Sequence, residues 1–92
     1  MLVPTLVEFV GTFIFLSVVL SHGKALPIGI ALMAVIYLGG AFSGGNFNPA
    51  ISIMQFADGK RDATSTFMYI AAQVLGGLAA LYFFRKVSVM NK

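Results

Sequence analysis

Cysteine is absent from the sequence, which excludes disulfides and thiolate metal sites. Charge is almost as scarce: 10% of the 92 residues are charged against 59% hydrophobic, and the mean hydropathy is +0.93. A water-soluble domain of this length needs a polar surface that so few charges cannot supply, whereas in a bilayer an apolar exterior needs no partner. The composition therefore predicts an integral, multi-pass, all-α membrane protein surrounded by lipid. Lys and Arg number 6 and the net charge is +3, but the basic residues are scattered near expected helix ends and form no patch interleaved with aromatics. That argues against nucleic acid as a partner and suits lipid headgroups. No nucleophile with a neighbouring base, no phosphate-cradling motif and no metal-ligand cluster is present, so the reading is not of an enzyme, and no cofactor or metal is expected. A cleavable leader is disfavoured too. No Lys or Arg precedes the apolar run from Phe9 to Leu20, Glu8 sits at its edge, and no Ala-x-Ala-like site follows.

What the sequence does contain is three long apolar spans and one short one. The first is expected over about 3–21, with Pro4 tolerated in the opening turn. Roughly 18 residues at 1.5 Å each give about 27 Å, enough to cross a hydrocarbon core. Ser21-His22-Gly23-Lys24 is a polar break, and His22 reads as a solvated loop residue. A second span is expected over about 27–41 and a third over about 64–84. The Asp62-Ala63-Thr64-Ser65 cluster offers N-caps for the third, and Arg85 and Lys86 mark its far interface.

Between the second and third spans lies Gly39-Gly40-Ala41-Phe42-Ser43-Gly44-Gly45-Asn46-Phe47-Asn48-Pro49-Ala50. Its glycines are expected to break the second helix. Asn48 and Pro49 then read as N-cap and first residue of a new helix, with Gly59 suited to the left-handed stop. A helix over about 48–57 is roughly 15 Å long, half a bilayer. It is too apolar for a surface loop and too short to cross, so a re-entrant half-helix is predicted. Bare backbone at that depth must line a cavity or be covered by protein.

Three stretches carry a family resemblance. Glu8-Phe9-Val10-Gly11-Thr12-Phe13, Ser43-Gly44-Gly45-Asn46-Phe47-Asn48-Pro49-Ala50 and Tyr69-Ile70-Ala71-Ala72-Gln73-Val74-Leu75-Gly76 resemble, in order and spacing, the first-half motifs of the aquaporin (major intrinsic protein) family, aquaglyceroporins included. The resemblance implies that residues 1–92 are a single half of an aquaporin-like inverted repeat. It also implies a role as subunit or half of a channel for water or small neutral solutes such as glycerol. A second pore half, either an antiparallel copy or a separate polypeptide, would then be the partner. By the same resemblance Asn48, Pro49 and Ala50 contact permeant, and Glu8, Gln73, Ser43 and Gly44 support the pore loop. Ile28, counted back from Asn48, falls where water channels place a filter aromatic. Ile51 stands where the family's second half carries a filter Arg, so no such Arg is carried over.

The residues support related roles without the family. Unpaired backbone N–H groups at a half-helix tip concentrate positive charge at mid-membrane, which repels cations. Asn48 can cap one such group with its carbonyl and offer its NH₂ to the lumen. Glu8 is the one acidic residue inside a span and is a functional candidate by default. Gly11 and the Ala72, Gly76, Ala80 series are read as close helix-packing positions. Two other readings stay open: a non-conducting fragment or interaction partner of aquaporins, and a small proton-coupled multidrug exporter using Glu8, whose family also has an early Glu-x-x-Gly-Thr.

Overall fold

The first apolar run forms α1, Leu2–His22. It stops at Gly23, whose φ of 53° is the left-handed conformation that glycine adopts without Cβ strain, and whose N–H donates to Val19 O at 3.2 Å. The computed structural model describes residues 1–91 and contains three further helices: α2, Ala25–Ser43; α3, Pro49–Ala57; and α4, Ala63–Met90. Asp62 caps α4, its Oδ1 accepting from Ser65 N at 2.7 Å. Three of the helices are long and apolar enough to cross a membrane; α3, at 9 residues, is not.

Two elements differ from the expectation. α2 ends at Ser43, slightly past the expected end near 41. It passes through Gly39 and Gly40, and Gly44 takes the left-handed cap with φ 89°. Packing explains the tolerance at Gly39, where an added Cβ would stand 2.9 Å from Val7 Cγ1 and 3.2 Å from Phe47 Cζ. The missing side chain is thus the price of close contact, not a helix terminator. α4 also runs on past Phe84 to Met90. No breaker follows Phe84, and 28 residues at 1.5 Å make about 42 Å. The turns bearing Arg85 and Lys86 therefore project beyond the hydrocarbon layer.

α1 lies between α2 and α4, and α3 lies along α4. The α1–α4 crossing is close because of Gly76: a Cβ there would be 2.7 Å from Phe9 O and 3.2 Å from Phe13 N. Ala72 and Ala80, one turn to either side, are also buried. The interior is polar and the exterior apolar. Glu8, Thr12, Ser43, Asn46, Ser52 and Gln73 are buried, while Leu26, Met33, Tyr37, Leu38 and Phe67 are largely exposed. Inside-out burial of this kind suits a chain whose solvent is lipid and whose inner polar groups largely bond to one another.

Candidate functional site: a buried carboxylate holding a half-helix

Glu8 is fully buried and sits at the centre of the site. Its Oε1 accepts from Phe47 N at 2.7 Å and Gln73 Nε2 at 2.8 Å. Its Oε2 accepts from Ser43 Oγ at 2.7 Å and Asn46 N at 3.1 Å. Two oxygens thus meet four donors from α2, the loop and α4, which satisfies a carboxylate buried among apolar helices. The sequence-based assignment of Glu8, Ser43 and Gln73 to loop support brings together residues that touch in the structure. Gly44 contributes by backbone conformation, reversing the chain after Ser43.

A second layer passes from the loop to α3 and was not singled out from sequence. Asn46 Nδ2 donates to Ser52 Oγ and Gln55 Oε1, each at 3.0 Å. Ser52 Oγ also accepts from Gln73 Nε2 at 2.9 Å. Gln55 Oε1 accepts from Arg61 Nε and Nη2 at 3.1 and 3.0 Å, and Arg61 Nη1 donates to Ser65 Oγ at 2.7 Å. The guanidinium lies 3.9 Å from the centre of the Tyr69 ring, and Tyr69 Oη donates to Ser43 O at 2.6 Å. Both ends of the half-helix are therefore tied to α4. One signal in the sequence was readable: Ser52 and Gln55, three residues apart, put two polar side chains on one face of an otherwise apolar half-helix.

Phe47 aims the chain into the new helix. It has φ 54°, rare for a bulky non-glycine residue, and is nearly fully buried. Its ring occupies the space left by Gly11: a Cβ there would lie 2.7 Å from both Cδ1 and Cζ, and closer still to Cε1. Gly11 is thus a socket for the loop as well as a helix-packing position. The strained backbone at Phe47 is held by that socket and by the bond from its N–H to Glu8.

Asn48 follows at the tip of α3 and is exposed. Its Oδ1 accepts from Ala50 N at 2.8 Å. The expected bare N–H groups are not found there. Pro49 has none, Ala50 is capped by the side chain, and Ile51 and Ser52 donate to Asn48 O at 3.1 and 3.2 Å. The outward donor of the tip is therefore Asn48 Nδ2, backed by the helix dipole. Asn48 and Pro49 line a cleft of about 560 Å³ between α1 and α4, walled by residues such as Phe15, Leu16, Val74 and Leu78. Thr12 and Gln73 line it too, and each is only 1% exposed. Thr12 Oγ1 and Gln73 Oε1 have no hydrogen-bond partner. Ile28 is half-buried in the opening turns of α2 and is not among the residues lining this cleft. Ala50 is exposed beside the tip.

Three apolar spans, a half-helix too short to cross and a polar interior define an integral multi-pass membrane protein of the re-entrant-loop type. The chain belongs to the major intrinsic protein family, whose model matches residues 2–91; these are channels rather than enzymes. It is 39% identical over 84 residues to glycerol uptake facilitator protein-like 6 of Lactiplantibacillus plantarum, an alignment covering 82% of this chain and 39% of that protein. It is 41% identical over 58 residues to aquaporin Z of Photorhabdus laumondii and, separately, to aquaporin Z of Brucella melitensis, covering 63% of this chain and 25% of each relative. The chain thus spans well under half the length of these relatives. No solved structure matches it.

Proposed function

We propose that this chain forms one half of a transmembrane channel for water and small neutral solutes such as glycerol, with the pore completed by a second half. The observation that carries this reading is the outward donor, Asn48 Nδ2, at the tip of a half-helix facing a largely apolar cleft that also contains Thr12 and Gln73. A solute with an accepting oxygen can bind that donor; a cation meets the positive end of a helix dipole in a medium of low dielectric. A water bound there turns its oxygen toward Asn48 and its hydrogens away, which hinders a continuous proton wire. The names of the relatives, a glycerol facilitator and two aquaporins, agree with solutes of this size.

Glu8 is a scaffold in this reading. Both its oxygens are engaged and it has no exposed surface, which disfavours the proton-coupled exporter. Ile51 next to Ala50 leaves the tip without a cationic side chain, so a polyol as well as water can approach Asn48. The alternative is a non-conducting fragment or aquaporin-binding protein. Osmotic swelling of liposomes containing only this chain separates the two. Water and glycerol permeability above protein-free vesicles is expected; permeability equal to theirs, with the chain correctly inserted, overturns the channel reading for the chain alone.

A further inference from the structure

We propose that Arg61 and Gln55 are positioning residues for Asn48: the guanidinium holds the Gln55 side-chain oxygen and so fixes the rotation of α3 about its own axis, from the end opposite the tip. The inference rests on the channel reading above for what Asn48 does; the grip on α3 stands on contacts within the chain.

Asn48, Ser52 and Gln55 follow one another at intervals of four and three residues, so they lie along one face of α3. The side-chain oxygens of Ser52 and Gln55 are gripped by donors from outside the helix. Ser52 Oγ accepts from Asn46 Nδ2 and Gln73 Nε2. Gln55 Oε1 accepts from Asn46 Nδ2, Arg61 Nε and Arg61 Nη2, and among the described residues every hydrogen bond of the Gln55 side chain ends on that oxygen. The grip leaves a mark elsewhere. With its amide hydrogens drawn to α3, Asn46 keeps a buried Oδ1 that has no partner, and Gln73 keeps a buried Oε1 in the same state. Orphaned acceptors are rare in native proteins. Turning the Asn46 amide over would set its oxygen against those of Ser52 and Gln55, so the needs of α3 decide its orientation.

Arg61 is itself fixed before it reaches Gln55. Its guanidinium lies over the Tyr69 ring and its Nη1 donates to Ser65 Oγ, and both residues are buried in α4. Tyr69 is tied in turn to Ser43 O, at the end of α2. A planar fork held in this way presents its Nε–Nη2 edge in one direction. From Gln55 Oε1 the constraint passes to Asn46, two residues before Asn48, with the positive φ of Phe47 between them. A rotation of α3 that swung Asn48 away from the cleft would break the bonds at Ser52 and Gln55 together.

The test is amide hydrogen exchange of the full chain in lipid nanodiscs. The N–H groups of Ala50, Ile51 and Ser52 all donate to Asn48, so they report the tip. Gln55→Met keeps the length of the side chain and removes the oxygen; Gln55→Glu keeps an oxygen and loses only the amide nitrogen that the grip does not use. Exchange at the tip is expected to rise about tenfold in Gln55→Met, the scale of one lost buried hydrogen bond, with no change at the α1–α4 crossing around Gly76. Gln55→Glu is expected to restore the wild-type rate. Arg61→Lys keeps the charge but not the fork and is expected to match Gln55→Met, and it carries the comparison alone if Gln55→Met fails to insert. An unchanged tip in both, no restoration by Gln55→Glu, or loosening that spreads to the crossing overturns the proposal. Water flux through vesicles of the same proteins tests the channel separately. Flux lost in Gln55→Met and kept in Gln55→Glu supports grip and channel together. Wild-type flux no higher than that of protein-free vesicles, with the exchange pattern as expected, keeps the grip and rejects the channel. Full flux through a variant whose tip has loosened overturns the link from Gln55 to Asn48.

Discussion

Gly11→Ala places a methyl group where the Phe47 ring stands, and its effect can be worked out from the contacts. The added Cβ would lie within 2.7 Å of Cδ1 and Cζ, well inside carbon–carbon contact, so either the ring or α1 must move. Neither moves freely. The ring's backbone is pinned to Glu8 through the Phe47 N–H, and α1 is held against α4 at Gly76. Overpacking of this kind costs about 1–3 kcal/mol, and a bond broken at Glu8 adds about 1 kcal/mol or more. Against this, Ala gains up to about 1 kcal/mol over Gly in a helix interior. The single variant is therefore expected to lose about 1–3 kcal/mol. In a Phe47→Ala background the obstructing atoms are gone and only the helix preference remains, so Gly11→Ala becomes neutral or mildly stabilising. The four proteins form a double-mutant cycle, read by reversible unfolding in mixed micelles with circular dichroism. A coupling of about 2 kcal/mol is expected; additivity within about 0.5 kcal/mol would refute the socket.

Glu8→Gln keeps the shape but turns one accepting oxygen into a donor facing two donors, at about 1–3 kcal/mol for each group left unpaired; faster hydrogen exchange at the amides of Asn46 and Phe47 is the readout, and unchanged protection contradicts the hub. Gly76→Ala and Gly77→Ala form a matched pair. The first meets the backbone oxygen of Phe9 at 2.7 Å and is expected to destabilise by about 1–3 kcal/mol; the second meets only the end of Leu16 at 2.9 Å and is expected to be near neutral, so equal losses would contradict the crossing described above. Asn48→Asp replaces the outward donor by negative charge at the positive end of α3. Lower water and glycerol flux, or greater sodium leak, is expected in liposomes; unchanged values in a normally inserted variant contradict a pore at Asn48.

Helix number and the half-helix were legible because bilayer thickness turns length and hydropathy into topology, and because Asn48-Pro49 is a capping signal with a local cause. Glu8 was legible for a different reason: an acidic residue in a span has to be paired. The partners of a pairing are harder to read. Asn46, Gln55 and Arg61 are brought together by the return of the chain through Gly44 and Gly59, and no spacing along one helix encodes that meeting. Arg61 in particular reads as a loop charge from sequence, yet its guanidinium is folded onto Tyr69 and Gln55. Gly39 is hard to read for a similar reason. A glycine that ends a helix and a glycine that admits a neighbour look the same until the neighbour, here Val7 and Phe47, is known.

The four donors around Glu8 are also a timetable. The carboxyl group is made with the eighth residue, but its partners lie 35, 38, 39 and 65 residues further along the chain. During synthesis α1 must enter the translocation machinery with Glu8 bare, and an acidic residue near a helix centre opposes insertion by a few kcal/mol. The surrounding Leu, Val, Phe and Ile residues of α1 have to outweigh that cost unaided. Ser43 and the loop amides arrive only after α2 has emerged, and Gln73 closes the set when α4 is half made. A chain halted before Gln73 therefore holds its re-entrant segment by the loop alone, and the finished arrangement waits for α4.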